Sequence, residues 1–364
     1  MKRAENISIV GIDTNLSCKL ANMAFVCAIL VVAYHIEIPG KVGSLPWWGV
    51  QLLRSVFGSV AVPFFFTASG FFLAGHVANQ GWYLSELKKR LKSLLVPYVA
   101  WLTLFVIYLI PVVVAVNALS DRPLFFRISV PSPVALFGID LSQYPAIPPF
   151  WYLRYLMILC LASPVMVWAL AQWHLKTVFV AFAYMVVREI AVVFIQQRWN
   201  LLQHPWMLNP YGFFYFLSGM AWRMGLFQKF SLRIKRLFMV MGVLVLLVKI
   251  CCLIRIGCVG GCGVSDFSEW WTLVWIVPLV YCIWVFIPAK PWPRMLVNNS
   301  FPIYVMHCFF LNAFARIAFF SQGNIATEWR PLMAWAISIA GCVGMAEALR
   351  CWMPGMAQLL YGGR

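Results

Sequence analysis

The stretch LANMAFVCAILVVAYHI, residues 20–36, decides the fold. Apart from Asn22 it is apolar until Tyr34, and as a helix rising about 1.5 Å per residue it nearly crosses the hydrocarbon core of a bilayer. It ends in Tyr34-His35. A titratable imidazole at the end of a lipid-compatible helix costs free energy, so it needs a partner or a task.

Working outward, comparable runs recur at 56–76, 94–116, 152–170, 177–194, 211–224, 237–256, 270–287, 300–320 and 331–351. The chain is 63% hydrophobic and 11% charged, with a mean hydropathy of +0.84. A soluble domain could not hide that much apolar surface. The expectation is an all-α polytopic integral membrane protein of about ten transmembrane helices. One membrane domain, 20–351, lies between an N-terminal tail, 1–19, and a C-terminal tail, 352–364.

Charge supplies the orientation. Of the 28 Lys and Arg residues, 17 fall in one set of alternating loops that includes both tails, seven in the other set, and four within spans. The positive-inside rule then puts both termini in the cytoplasm, in keeping with an even number of spans. The net charge of +17 is thus a topology signal with some attraction to anionic membrane lipids, and nucleic acid is not an expected partner. Nothing resembling a small-residue cleavage site closes the first run, which reads as a retained anchor.

Most of the 11 cysteines are small hydrophobes within spans. Cys258 and Cys262 share a Gly-rich loop where a disulfide is possible, and they lack the partners a zinc site needs. No metal is expected. The connection from about Asn117 to Phe150 is long and proline-rich, placed outside, and of the kind that is functional or mobile. The absence of an internal repeat weighs against transporter folds built from duplicated halves.

Several polar groups interrupt the spans. His35 approaches the outer face, and a neutral imidazole there could take a proton from a hydroxyl nucleophile near neutral pH. Glu37 could form a dyad with it only if the helix ends at Ile36. Arg154, Arg188 and Glu189 fall in the same outer half. Arg188 and Glu189 are neighbours in sequence and face different sides, so each needs a partner from another helix. This constellation could assemble a cavity or two structural ion pairs. Lys249 and Arg316 also map to outer halves and could snorkel. Glu347 and Arg350, three apart, pair locally. Ser69-Gly70 permits close helix packing. Tyr304 and His307 share a helix face, and His307, read alone, is a packed, hydrogen-bonded histidine. Lys88, Lys89, Arg90 and Lys92 form a basic cluster read either as orientation and lipid contact or as a rim for a phosphorylated cofactor.

Taken in order, these segments resemble the acyltransferase 3 family of polytopic membrane acyltransferases. The carriers are residues 28–35 ending in Tyr34-His35, the run Val62-Pro63-Phe64-Phe65-Phe66-Thr67-Ala68-Ser69-Gly70-Phe71, and the basic stretch Lys88 to Pro97. They continue with Trp151-Tyr152-Leu153 through Pro164, Tyr211 to Gly219, and Ile303-Tyr304-Val305-Met306-His307. The resemblance implies transfer of an acyl group, acetyl expected, from cytoplasmic acyl-CoA to a hydroxyl of an extracytoplasmic carbohydrate or lipid-linked acceptor, with His35 as the catalytic residue. The implied location is a bacterial cytoplasmic (inner) membrane. The family's arginine eleven positions before this histidine is replaced here by Ala24, so its task must be met elsewhere.

Under this resemblance CoA phosphates would rest on Lys88, Lys89, Arg90 and Lys92. The pantetheine arm would pass Ser69, Tyr304 and His307 toward His35. Glu37 or Glu189 would orient the imidazole, and Arg154 or Arg188 would stabilise the oxyanion. The competing expectations are a transporter or flippase without covalent chemistry, and a non-catalytic scaffold of the same fold.

Overall fold

The computed structural model describes residues 9–105, 107, 147–199, 210–228, 230–259, 276–316 and 328–363, and every element of two or more turns among them is helical. Helix α1, Thr14–Tyr34, begins six residues before the apolar run. The Asp13 carboxylate accepts from the Leu16 amide at 2.7 Å and so caps the first turn. Ser44 caps α2, Leu45–Gln51, whose first turn also carries Pro46. That helix continues through a π turn, Leu52–Phe57, and a 3₁₀ turn, Gly58–Val60, into α3, Ala61–Leu73. Then come α4, Trp82–Arg90, and α5, Val96–Leu104. They are followed by α6, Trp151–Trp173, α7, Leu175–Trp199, and α8, Pro210–Arg223. The chain finishes with α9, Leu232–Val259, α10, Ile276–Phe286, α11, Ser300–Arg316, α12, Arg330–Trp352, and α13, Pro354–Tyr361.

Five stretches among the described residues are long and apolar enough to cross a membrane: Thr14–Tyr34, Leu45–His76, Trp151–Trp173, Leu232–Arg255 and Arg330–Trp352. The other expected spans have physical reasons to fall short of that standard. Helix α8 has 14 residues and α11 has 17, while α7 carries Lys176, Arg188 and Glu189. The runs at 94–116, 270–287 and 300–320 extend into residues outside the described set, as do Cys262 and most of the 117–150 connection.

The tightest pairing is α3 with α8. A Cβ at Gly70 would run into the Phe216 carbonyl, and one at Gly219 into the Thr67 carbonyl, so the two backbones approach as only glycine allows. Around this contact Phe66, Phe71, Phe216 and Met23 are fully buried. Helix α1 packs on α3 and α11, and α11 packs on α12. The segment expected as a C-terminal tail instead folds into α13 and returns to α5, where the Trp101 indole donates to the Leu360 carbonyl at 3.0 Å. These contacts bring the C-terminal end of α1 against α11 and the π turn.

Candidate functional site

Helix α1 stops one residue before the imidazole. His35 is its C-cap, with φ −98° and ψ 0°, and its amide still donates to the Val32 carbonyl at 3.0 Å. Its ring lies 5.1 Å from that of His307 on α11 and 5.7 Å from Tyr34. From the other side comes Arg54, carried by the π turn. The guanidinium donates to the Ile36 carbonyl at 3.0 Å, stacks 5.4 Å over Tyr34, and is within electrostatic reach of His35.

A π turn inserts an extra residue into the helical register and shifts the direction of the side chains it carries, which is why such turns recur at functional sites. This one is held by Lys249 of α9, whose ammonium donates to the Ser55 carbonyl and the Ser59 hydroxyl, both at 3.0 Å.

His307 is fully buried. Its Nδ1 faces the Tyr304 carbonyl at 2.7 Å and the Ile303 carbonyl at 3.2 Å. Carbonyls only accept, so Nδ1 carries the proton and Nε2 keeps its lone pair, toward which the Cys308 thiol points at 3.3 Å. The Tyr304 hydroxyl donates to the Pro149 carbonyl, its ring lies 5.7 Å from Tyr152, and the Tyr152 hydroxyl shares a 3.2 Å hydrogen bond with Ser69. Ser69, Tyr152, Tyr304, His307 and His35 thus form a continuous line of polar groups through an apolar interior.

Of the residues expected at the site, the structure brings together His35, His307, Tyr304 and Ser69. Glu37 does not join them. With the helix over by Tyr34, the chain turns this carboxylate outward, where it is exposed and forms no ion pair among the described residues. Arg154 is buried on α6, within electrostatic range of Tyr98. Arg188 is half-buried on α7, and the side chain of Glu189 lies outside the described set. The cation against His35 is Arg54, which sequence reasoning had counted as an outer-loop charge. An arginine about two and a half turns beyond a capped helix start was the available signal, but the π turn that aims it leaves no mark in hydrophobic periodicity.

The basic cluster on α4 is altered by a buried acid. Glu86 is 3% exposed and sits 2.7 Å from the Lys89 ammonium, 3.7 Å from Arg90 and 3.0 Å from His76 Nδ1. Lys89 and Arg90 are therefore paired with an internal carboxylate, although Lys89 itself stays exposed alongside Lys88 and Lys92. A second group of cations gathers beside the N-terminal half of α1. Lys19 lies 4.9 Å from the Trp284 ring centre, Trp284 packs on Trp222 and Trp222 on Phe71, and Arg223 stacks on Phe71 at 4.9 Å.

Chemically, the α1 end offers an imidazole with a second imidazole and a guanidinium against it, in an apolar setting. Such a set can take a proton from a hydroxyl and steady the negative charge that forms when that oxygen attacks a carbonyl. The profile of a family described as an acyltransferase domain, acyltransferase 3, matches residues 23–347. No curated protein and no solved structure matches the chain.

Proposed function

Because the chain belongs to the acyltransferase 3 family of membrane acyltransferases, we propose that it moves an acyl group, acetyl expected, from cytoplasmic acyl-CoA to a hydroxyl on an extracytoplasmic carbohydrate or related envelope acceptor. In this reading it is an integral protein of a bacterial cytoplasmic membrane, crossing about ten times with both termini inside. The observation that carries the proposal is the His35–His307–Arg54 cluster where α1 ends.

His35 acts as general base on the acceptor hydroxyl. The hydroxyl oxygen attacks the thioester carbonyl, the new C–O bond forms, and the C–S bond breaks as the tetrahedral intermediate collapses. The proton taken by His35 passes to the departing thiolate, giving free CoA. Arg54 is the cation placed to offset negative charge on the carbonyl oxygen, in the role expected of Arg154 or Arg188. His307, with its tautomer fixed by the Tyr304 carbonyl, sets the orientation and proton position of its neighbour. The line from Ser69 through Tyr152 and Tyr304 marks the path by which the pantetheine arm reaches His35.

The purified protein in nanodiscs, given acetyl-CoA and a panel of sugar acceptors, should release thiol in step with acyl-acceptor formation. The variant His35→Ala should lose about 10²–10⁴-fold of that rate while eluting as the same folded species. Acceptor movement across vesicles with no consumption of acetyl-CoA would replace the enzyme with a carrier.

A further inference from the structure

We propose that Arg223 and Lys19, with the indoles of Trp222 and Trp284 between them, dock the phosphorylated adenosine end of the acyl-CoA donor, an assignment that rests on the donor proposed above.

Arg223 closes α8 and is held in place on two sides. Its guanidinium lies 4.9 Å over Phe71, and a Cβ added to Gly75 would meet it at 3.1–3.2 Å, so it presses against bare backbone there. Among the described residues its Nε and Nη1 are enclosed by protein yet meet no acceptor, and it forms no ion pair. A guanidinium donor enclosed without an acceptor is costly, and an anion settles that cost better than any neutral group. Phosphate oxygens suit its planar fork.

The surroundings select among anions. From Arg223 the ring of Phe71 leads to Trp222 at 4.5 Å, then to Trp284 at 5.5 Å, and Lys19 sits over Trp284 at 4.9 Å. Both indoles and both cations are half-buried, so this row is partly open at the surface. Aromatic faces flanked by cations at either end fit a flat heterocycle carrying several phosphates, where an inorganic ion would leave the indoles unused. Asn22, three residues after Lys19 and on the same face of α1, adds an acceptor. Its Nδ2 is fixed by the Pro288 and Lys290 carbonyls at 2.9 and 2.8 Å, which leaves Oδ1 buried and unmatched, suited to an amide N–H of the donor's arm. From Asn22 to His35 is thirteen residues, about 20 Å of helix, a gap for an extended chain such as pantetheine. The α4 cluster is a weaker candidate because Glu86 already neutralises its centre.

The test uses the full-length protein in nanodiscs, with adenosine 3′,5′-bisphosphate as the probe. Arg223→Gln should raise both the Kd of the probe and the KM for acetyl-CoA about tenfold with kcat within about threefold, and Lys19→Gln should move both constants in the same direction by less. If Arg223→Gln fails to fold, Arg223→Lys, which keeps the charge and loses the fork, and Lys19→Gln carry the same expectation. Unchanged constants in the folded variants, a loss confined to kcat, or a loss that appears instead in Lys88→Gln and Lys92→Gln would each overturn this site while leaving the acyltransferase reading intact. A wild-type protein that turns over no acyl-CoA would overturn that reading instead.

Discussion

Two polar clusters interrupt the apolar helices, one at the start of α11 and one near its middle, and they are built on opposite plans. At its N-terminal end, Asn299 is fully buried and donates to the Met295 carbonyl and to Glu347 at 2.5 and 2.6 Å. Arg350 donates to Asn299 Oδ1 at 2.8 Å, to Glu347 at 2.7 Å and to the Asn298 carbonyl at 2.9 Å. Each donor has an acceptor and the set closes on itself. About two helical turns further along, His307 Nε2 is met by the Cys308 thiol, a second imidazole ring lies 5.1 Å away, and the cation within electrostatic reach of that ring arrives from a different helix. A closed network resists change and staples α11 to α12. A cluster that keeps an imidazole beside a cation is unstable in isolation and useful to a substrate.

The strongest way to break this contrast is at Arg54. If the α1 cluster is chemical, Arg54→Gln should cut acyl transfer by about 10²–10³-fold, the usual loss on removing one preorganised donor to a developing oxyanion. Arg154→Gln should cost far less, since Arg54 is the guanidinium that acts electrostatically on His35. Initial rates of thiol release from acetyl-CoA compare the two directly. A larger loss at Arg154 would return the oxyanion role to the residue that sequence alone suggested.

The closed network predicts the reverse pattern. Arg350→Met strips a donor from Asn299, from Glu347 and from the Asn298 carbonyl, so stability should fall by about 1–3 kcal/mol. Because Glu347 is 36% exposed and Arg350 24% exposed, solvent holds the loss toward the lower end. Activity per folded molecule should stay within about threefold of the parent, because hydrogen bonds this far from the reacting atoms do not change between ground and transition states. Thermal unfolding in detergent beside specific activity separates the two quantities. A fall in kcat with an unchanged melting temperature would erase the distinction between the clusters.

What the sequence disclosed follows the same divide. Local features were legible. The Glu347–Arg350 pair, the packed state of His307 and the glycine contact at Gly70 all follow from spacing along one helix. The all-helical character follows from the apolar runs. The misreadings involve partners far apart in sequence or departures from α geometry. Glu37 was a candidate because it follows His35 by two positions, but α1 ends at Tyr34 and turns it out. The Lys88–Lys92 run read as free positive charge because nothing in its pattern says that Glu86, on the same helix, is buried beneath it. Arg54 was invisible because hydrophobic periodicity does not encode a π turn. The missing arginine at Ala24 is a case of the same kind: Lys19, the nearest upstream cation on α1, is off register by five residues, and Arg223 belongs to α8.

The smallest expected effect probes what holds the π turn. Helix α9 is the most apolar and least covered of the five candidate spans among the described residues. A lysine there costs free energy that must be offset. Lys249 offsets it by donating to the Ser55 carbonyl, in the turn that aims Arg54, and to Ser59. In Lys249→Met the carbonyl loses that donor, and the turn is free to relax toward α-helical register. Dropping the inserted residue rotates the side chains on one side of it by about 100°, which carries Arg54 off the Ile36 carbonyl. Since the rest of α2 and α3 still packs, relaxation should be partial, with kcat falling about three- to tenfold, KM for acetyl-CoA nearly unchanged, and Lys249→Arg restoring most of the loss. A variant that melts earlier yet turns over at the parental rate would show that neighbouring side chains, and not this ammonium, set the turn, and Arg54 would then owe its position to packing alone.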